Sequence, residues 1–216
     1  TIGSGPFRFN REQWLSGQRV VYDRNTDYTP RSEPPDGLAG GHVVKVDRVE
    51  WHVMPDPSTA AAALQAGEVD LWEQAAADLL PVLEKDKNVA IRVPDHLGST
   101  YVLRFNWKQP PFDNVKVREA LNWAINRQSL VDNILKGTAE PALGYTPKAD
   151  ASFRPESEVY GYDPAKAKQM LAEAGYPDGF TMTLSYPTSG SGNMVPTPMN
   201  TALQADLAAI GVKVEL

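Results

Sequence analysis

The sequence predicts an α/β fold, because segments of helical periodicity end at a glycine and lead into short segments rich in β-branched and aromatic residues. Three predicted helices begin with a capping side chain followed by a proline, at Asp56-Pro57, Asp163-Pro164 and Thr197-Pro198. Gly67, Gly175 and Gly211 follow the last apolar positions of these helices and can take a left-handed conformation. This repetition of helix, glycine and strand is typical of α/β proteins.

Short segments bounded by polar residues, glycine or proline predict the strands. In chain order they are 7–10, 19–24, 48–54, 69–72, 87–93, 100–106, 180–186 and 212–216. Alanine-rich runs at 60–63 and 75–77 predict helices that pack closely on a sheet. Four tryptophans are assigned to the core or its rim, and these are Trp14, Trp51, Trp107 and Trp123.

The segment 101–137 carries the most specific pattern in the chain. Bulky residues alternate in its first six positions, as in a half-buried strand, and Pro110-Pro111 then stops the ladder in a turn. Asp113 is expected to cap the helix that follows. Gly137 is expected to end a second helix.

This segment resembles the family 5 extracytoplasmic solute-binding proteins of ABC transporters, whose members carry dipeptides, oligopeptides, nickel chelates, opines or oligosaccharides. In that family a strand ending in Phe-Asn is followed by Pro-Pro-Phe-Asp-Asp/Asn-x-Arg/Lys-Val-Arg-x-Ala. The pattern is matched at 105–106, 110–114, 116–118 and Ala120. One departure is Asn126, where the family has aspartate, and asparagine is also a good helix cap.

Further matches extend over nearly the whole chain and occur in the family's order. They lie at 3–7, 25–28, 64–70, 162–177 and 203–216. Full members of the family are longer, so the chain is expected to be an internal fragment that lacks part of each lobe. No charged and apolar leader opens the sequence, which fits that expectation.

The resemblance implies a periplasmic-binding-protein-like fold of type II (cluster C), present in part, with two lobes of mixed sheets flanked by helices. Residues 1–94 are expected to belong to the first lobe, 95–98 to the crossover, and 99–216 to a second lobe truncated at its C-terminus. Pro94 and Gly98 are the hinge candidates, because closure needs a few positions that absorb backbone change. A plain turn is the alternative.

Composition fits a folded globular chain and excludes several classes of function. The chain has 216 residues, of which 42% are hydrophobic and 22% charged, with a net charge of -6 and no cysteine. The acidic balance argues against a nucleic-acid surface, and the missing cysteines exclude disulfides and thiolate metal sites. No apolar run approaches the ~20 residues that cross a bilayer.

Motifs for catalysis or for a bound cofactor are absent from the sequence. His42, His52 and His96 lack the spacing of a zinc site, so no metal and no cofactor are expected. No nucleophile elbow, phosphate loop or dinucleotide fingerprint occurs, and the Ser-Gly repeat at 189–192 is interpreted as a loop. Glu68 and Asp70 are the best carboxylate pair for the alternative of a hydrolase, with Glu73 nearby.

The resemblance places the solute-binding residues on either side of the crossover, where aromatic walls and polar anchors are expected. The candidates are Trp72, Glu73, Gln74, Thr100, Tyr101, Arg104 and Asn106. Arg104 is the preferred anchor, because its planar fork can hold a carboxylate through two hydrogen bonds, and a surface salt bridge is the alternative. Tyr101 and Arg104 are three residues apart and therefore face opposite sides of a strand.

The function implied by the resemblance is solute binding for an ABC importer. A peptide or peptide-like solute would be bound between the lobes and delivered to the permease subunits outside the cytoplasm, without covalent chemistry. Nickel chelates, opines and oligosaccharides remain alternatives within the family, and a carboxylate hydrolase is the alternative from another class. A third possibility is that the fragment alone has no stable affinity for the solute.

Overall fold

The structure is a computed structural model that describes residues 3–37, 39–95, 97–142, 144–154, 160–187 and 195–216. The chain divides into two compact units, which are Thr1–Ala66 and Gly67–Leu216. This division records where the chain packs on itself, whereas the predicted crossover concerns where one lobe passes into the other. The lobe boundary at residue 94 therefore stays a prediction.

The first unit contains an antiparallel sheet and one helix. Strands β1 (Phe7–Phe9), β2 (Arg19–Arg24) and β3 (Arg48–His52) pair in that order. Phe9 lies opposite Tyr22, which gives one face of the sheet an aromatic pair. Helix α1 (Pro57–Ala66) begins where predicted, because the Asp56 Oδ1 accepts a hydrogen bond from the Thr59 N–H at 2.7 Å.

The second unit holds the remaining elements around a larger core. They are a 3₁₀ helix (Ala77–Leu79), α2 (Leu80–Leu83), α3 (Val115–Ala124), α4 (Arg127–Asn133), α5 (Pro164–Glu173), β4 (Thr181–Thr183), α6 (Pro196–Ala208) and β5 (Lys213–Glu215). Strands β4 and β5 are parallel and are joined through α6. Helix α3 packs on α5, and α6 packs on β5 and α3. The buried side chains that meet there include Val117, Leu121, Leu171, Met182, Leu203, Leu207, Ile210, Val212 and Val214.

Helix α3 is capped by Asn114, so the prediction of Asp113 as its cap is wrong. The Asn114 Oδ1 accepts a hydrogen bond from the Lys116 N–H at 3.0 Å, and the Asn114 backbone is extended. The turn after the prolines continues one residue further than predicted, because the Asn114 N–H itself donates to the Pro111 carbonyl at 3.3 Å. Asp113 is exposed and belongs to that turn.

The predicted caps of α4 and α5 are confirmed. The Asn126 Oδ1 accepts from the Ser129 N–H at 3.0 Å, so asparagine does here what aspartate does in the family pattern. The Asp163 Oδ1 accepts from the Lys166 N–H at 2.9 Å at the start of α5. The Asn126 N–H also donates to the Asp206 Oδ2 at 2.9 Å, which fixes the start of α4 to α6.

Two helix boundaries differ from the prediction. Helix α6 begins at Pro196, after Val195, so Thr197 lies inside the first turn and does not cap it. Pro196 and Pro198 are both compatible with the first turn of α6, because an N–H group at these positions would have no partner within the helix. Helix α4 ends at Asn133, and Gly137 closes the turn beyond it with φ of 76° and an N–H bond to the Val131 carbonyl at 3.0 Å.

Close backbone approach sets the start of the parallel strands. A Cβ built on Gly179 would lie 1.9 Å from the Gly211 carbonyl oxygen, and Gly179 has φ of 76°. Gly211 has φ of 88°, as predicted for the residue after a helix. Only glycine lets the two backbone segments approach this closely, and this contact aligns β4 with β5.

Three predicted strands are wrong, because 69–72, 87–93 and 100–106 form no ladder with any other described residue. Segments 7–10, 48–54, 180–186 and 212–216 contain shorter strands than predicted, and 19–24 is a strand throughout. A strand requires a hydrogen-bonded neighbour as well as suitable residues, and periodicity reports only the residues. These extended segments therefore carry the side-chain pattern of a strand without its backbone pairing.

Candidate functional site

A pocket of about 720 Å³ opens on the second unit beside the extended segment 103–108. The described residues that line it are Leu103, Arg104, Phe105, Asn106, Trp107, Lys108, Arg118 and Tyr145. Two of the predicted site residues, Arg104 and Asn106, therefore lie together. The remaining predicted site residues do not line this pocket.

Packed aromatic rings support the floor of the pocket. The Phe105 ring stacks on Phe112 with a centroid distance of 5.3 Å, and Phe112 meets Phe180 edge-on at 5.9 Å. Phe105 also packs against the core of the second unit. Because successive residues of an extended segment face opposite sides, burial of Phe105 leaves Arg104 and Asn106 exposed. Leu103 and Phe105, which pack against the core, also line the pocket.

A tight turn brings the next two residues to the rim. The Trp107 N–H donates to the Phe105 carbonyl at 3.0 Å, and the Gln109 N–H donates to the Asn106 carbonyl at 3.1 Å. The Asn106 Oδ1 accepts from the Lys108 N–H at 3.4 Å. The indole of Trp107 is left 63% exposed, and the Lys108 Nζ lies 5.6 Å from its ring centroid.

Among the described residues that line the pocket, every charged side chain is a cation. These cations are Arg104, Lys108 and Arg118, in a chain whose net charge is -6. The Arg118 Nη1 donates to the carbonyls of Phe112 and Asp113 at 2.6 and 3.1 Å, which holds the guanidinium in one orientation. Within the described residues none of the three cations forms a salt bridge with a carboxylate. The pocket is suited to an anionic group.

Tyr101 and Thr100 lie upstream of the pocket. Tyr101 is half-buried where Arg104 is exposed, which agrees with their predicted placement on opposite sides. Burial raises the pKa of the Tyr101 phenol. Thr100 is exposed.

The predicted residues of the first lobe lie in a turn before the 3₁₀ helix. Trp72 is half-buried, whereas Glu73 and Gln74 are exposed. Gln74 has φ of 60°, a left-handed conformation that is uncommon outside glycine. The exposed carboxylates of Glu68 and Asp70 precede this turn and do not line the pocket.

The hinge candidates are exposed, and Gly98 has φ of 65°. Pro94 lies in the extended segment before it. His96 and the Ser-Gly repeat at 189–192 lie outside the described residues. Among the side chains that are described, His, Asp and Glu form no group of three or more that could hold a metal ion.

Six of the described lining residues were missed as site residues by sequence reasoning, and Leu103 and Phe105 are two of them. Trp107 and Lys108 directly follow the predicted strand, but the tryptophan was assigned to packing. Arg118 is part of the family pattern and gave no sign of facing a pocket. Tyr145 lies 27 positions further along the chain and is 74% exposed. Leu103, Phe105, Trp107 and Lys108 had a signal in the sequence, which was their place beside Arg104 or Asn106, whereas Arg118 and Tyr145 had none.

A model of the bacterial extracellular solute-binding proteins, family 5 Middle, matches residues 1–216. The chain belongs to this family. The resemblance inferred from the segment 101–137 is therefore confirmed.

Two curated relatives of this family 5 chain are named for a peptide transporter and for glutathione binding. The probable peptide ABC transporter periplasmic-binding protein y4tO of Sinorhizobium fredii is 41% identical over 182 residues, which are 81% of the chain and 34% of the relative. The glutathione-binding protein GsiB of Salmonella typhimurium is 36% identical over 220 residues, covering 100% of the chain and 39% of the relative. The chain thus spans well under half the length of these relatives.

A solved structure with the same fold is that of a dipeptide-binding protein from Pseudoalteromonas sp. SM9913 in complex with Met-Leu. The similarity has a TM-score of 0.75 at 26% identity and covers 98% of the chain and 39% of that protein. The predicted type II periplasmic-binding-protein fold is confirmed by this similarity. Among the helices described for this family 5 chain, none is both long and apolar enough to cross a membrane.

Proposed function

We propose that the chain forms part of the solute receptor of an ABC importer for peptides or peptide-like solutes. The observation that carries the proposal is the family match over residues 1–216, together with relatives named for peptides and glutathione. The solute would bridge two lobes, stabilise their closed form by differential contact, and be passed to a membrane permease. The receptor would release the solute chemically unchanged.

Arg104 is the proposed anchor for a carboxylate of the solute. Its guanidinium is exposed beside the pocket, and no carboxylate within the described residues forms a salt bridge with it. A planar guanidinium binds a carboxylate through two parallel hydrogen bonds, which a peptide C-terminus can accept. Asn106 shares the same side of the segment and offers an amide to the same solute.

The remaining contacts are proposed from the placement of the other predicted residues. Trp72, Glu73 and Gln74 would contact the solute from the first lobe, and Thr100 and Tyr101 from the second. Residues 1–94 and 99–216 would be the lobe segments, with Pro94 and Gly98 at the hinge. Small-angle X-ray scattering on the full-length protein would test closure, because solute binding should reduce the radius of gyration. An unchanged radius at saturating solute would count against the hinge.

The solute class is tested by thermal shift of the full-length protein against dipeptides, oligopeptides, opines, nickel chelates and oligosaccharides. A solute that binds only the native state raises the apparent melting temperature. We expect the largest shift with peptides. A shift with an opine, a chelate or an oligosaccharide alone would assign the receptor to that solute class and reject the peptide proposal.

The anchor is tested by pairing a protein variant with a solute variant. Arg104→Ala should weaken binding of a free dipeptide by about 10- to 100-fold, since a charge-assisted hydrogen-bond pair is lost. A C-terminally amidated dipeptide should bind wild type weakly and should lose nothing further in Arg104→Ala. Arg11→Ala removes an exposed arginine of the first unit and serves as the matched control. Equal losses for both peptides would show that Arg104 does not contact the carboxylate.

Location outside the cytoplasm, association with a permease and the lack of turnover are part of the same proposal. Release of the protein by osmotic shock would support a periplasmic location. Recovery of intact peptide after prolonged incubation would distinguish a receptor from a hydrolase that uses Glu68, Asp70 or Glu73. Appearance of the free amino acids, abolished by Glu73→Gln, would favour the hydrolase.

A further inference from the structure

The pocket beside Arg104 offers more positive charge than one carboxylate needs. Lys108 and Arg118 line it as well, and none of the described residues that line it is acidic. Ion pairing is available elsewhere in the chain, for example between the Arg48 Nε and the Asp23 Oδ1 at 2.8 Å. The three pocket cations have no such partner among the described residues. A single solute carboxylate on Arg104 would leave the other two uncompensated.

The two additional cations differ in how firmly they are held. Arg118 is half-buried, and the hydrogen bonds from its Nη1 to two main-chain carbonyls fix the guanidinium. These bonds leave the other N–H groups of the guanidinium available to a solute. Lys108 projects from the turn that follows the extended segment and is exposed. A fixed donor loses little conformational entropy when it binds, whereas a mobile ammonium adjusts to the position of the anion.

Aromatic side chains line the same pocket as these charges. Trp107 and Tyr145 line the pocket and are 63% and 74% exposed. Covering such rings with an apolar solute body is favourable by roughly 25 cal/mol for each Å² that leaves water. The same surface would offer nothing to a small inorganic anion. The lining therefore combines several cationic donors with apolar walls.

We propose, resting on the proposed function, that this pocket selects peptide-like solutes that carry a second carboxylate. The first carboxylate binds Arg104, the second is neutralised by Lys108 and Arg118, and the carbon chain between them lies against Trp107 and Tyr145. The preferred solutes are thus acidic peptides and other organic dicarboxylates with an apolar body. Selectivity comes from the second carboxylate, since the first is common to all peptides.

The test compares Ala-Glu with Ala-Gln by isothermal titration calorimetry on the full-length protein, because these dipeptides have nearly the same shape and differ by one negative charge. Wild type should bind Ala-Glu about fivefold to tenfold more tightly, as expected for a charged hydrogen bond that is partly screened by solvent. The preference should shrink in 1 M salt, where the Debye length is about 3 Å.

Lys108→Gln should bring the ratio of the affinities for Ala-Glu and Ala-Gln close to one. Binding of Ala-Gln is also the internal check that the variant is folded. Lys168→Gln, an exposed lysine of α5 that does not line the pocket, should keep the wild-type preference. Arg118 is not truncated, because it also holds the turn before α3.

Failure of this inference is distinguishable from failure of the proposed function. Equal affinity of wild type for the two dipeptides, or a preference that survives Lys108→Gln, would overturn the second-carboxylate site while leaving a peptide receptor. Binding of neither dipeptide, together with no thermal shift from any peptide, would overturn both.

Discussion

The sheet of the first unit and the core of the second unit are stabilised by different interactions. Leu121, Leu171 and Leu207 are fully buried in the second unit. In the first unit the aromatic side chains Phe9 and Trp51 stay 48% and 50% exposed, although the centroid of the Phe9 ring lies 5.9 Å from that of the Tyr22 ring across the sheet.

Polar contacts take a larger part in the first unit. The Asp23 carboxylate accepts hydrogen bonds from the Asn10 Nδ2 and the Arg48 Nε, both at 2.8 Å, and Arg48 also approaches Glu50 at 3.5 Å. Exposed ion pairs contribute little to stability because water and salt screen them. Truncating a buried side chain of the second unit should therefore lower the free energy of unfolding strongly. Changing the polar network of the first unit should lower it only slightly.

Truncation in the core should give the largest effect. Leu207→Ala is expected to lower the free energy of unfolding by about 2–5 kcal/mol, since it removes buried methyl groups and leaves a cavity. Urea denaturation followed by circular dichroism measures the change. Leu71→Ala is the control, because Leu71 is 78% exposed and its loss should cost less than about 0.5 kcal/mol. Similar losses for the two variants would contradict the assignment of the core.

The close approach of the parallel strands should give the next largest effect. Gly179→Ala places a Cβ against the Gly211 carbonyl and forces a left-handed alanine, so a loss above about 1 kcal/mol is expected. Gly5→Ala is the control, since no atom lies within 4 Å of its added Cβ. The midpoint of urea unfolding reports both. A neutral Gly179→Ala would show that β4 and β5 do not meet at this point.

The helix cap gives a smaller effect and decides between two neighbouring residues. Asn114→Ala should cost about 1 kcal/mol because the Lys116 N–H loses its acceptor. Asp113→Ala should be nearly neutral, since Asp113 does not cap α3. Thermal unfolding of the two variants measures the difference. The reverse order would restore the cap predicted from the sequence.

The polar network of the first unit should give the smallest effect, visible as a pH dependence. Hydrogen bonds from Asn10 and then from Arg48 lower the pKa of Asp23 from its ordinary value of 3.8. The Asp23 carboxyl group therefore binds its proton less tightly in the folded state than in the unfolded state. The resulting stability is present above pH 3.8 and is lost as the pH falls through the lowered pKa. Asn10→Ala should raise the pKa of Asp23, as measured by NMR titration, and an unchanged pKa would contradict this network.

Much of the local structure was predictable because its causes are local. Asp56, Asn126 and Asp163 cap helices by accepting from the backbone N–H three residues further on, so their effect can be read from the sequence. Gly211 takes the left-handed conformation at a helix end for the same reason. The α3 cap was misplaced by one residue, since the length of the preceding turn depends on how the prolines pack.

The candidate site was predicted only in part. Arg104 and Asn106 could be selected because the family resemblance places solute contacts on the segment that leaves the crossover, and because a guanidinium can hold a carboxylate. Arg118 and Tyr145 could not, since their arrival at the same pocket depends on how α3 and the loop after α4 pack on the core. The separation of such residues along the sequence does not give the distance between them in the folded protein.

The sequence by itself determined the family, the presence of α1 and of α3 to α6, and the glycines that follow α1, α5 and α6, because these depend on residues that are close along the chain. The tertiary structure alone decided which extended segments pair as strands and which cations share a pocket. Segment 100–106 shows the difference, since its alternation was predicted and its backbone finds no ladder among the described residues. Hydrogen-bonded neighbours and converging charges are long-range relations, and these are created only when the helices pack around the core.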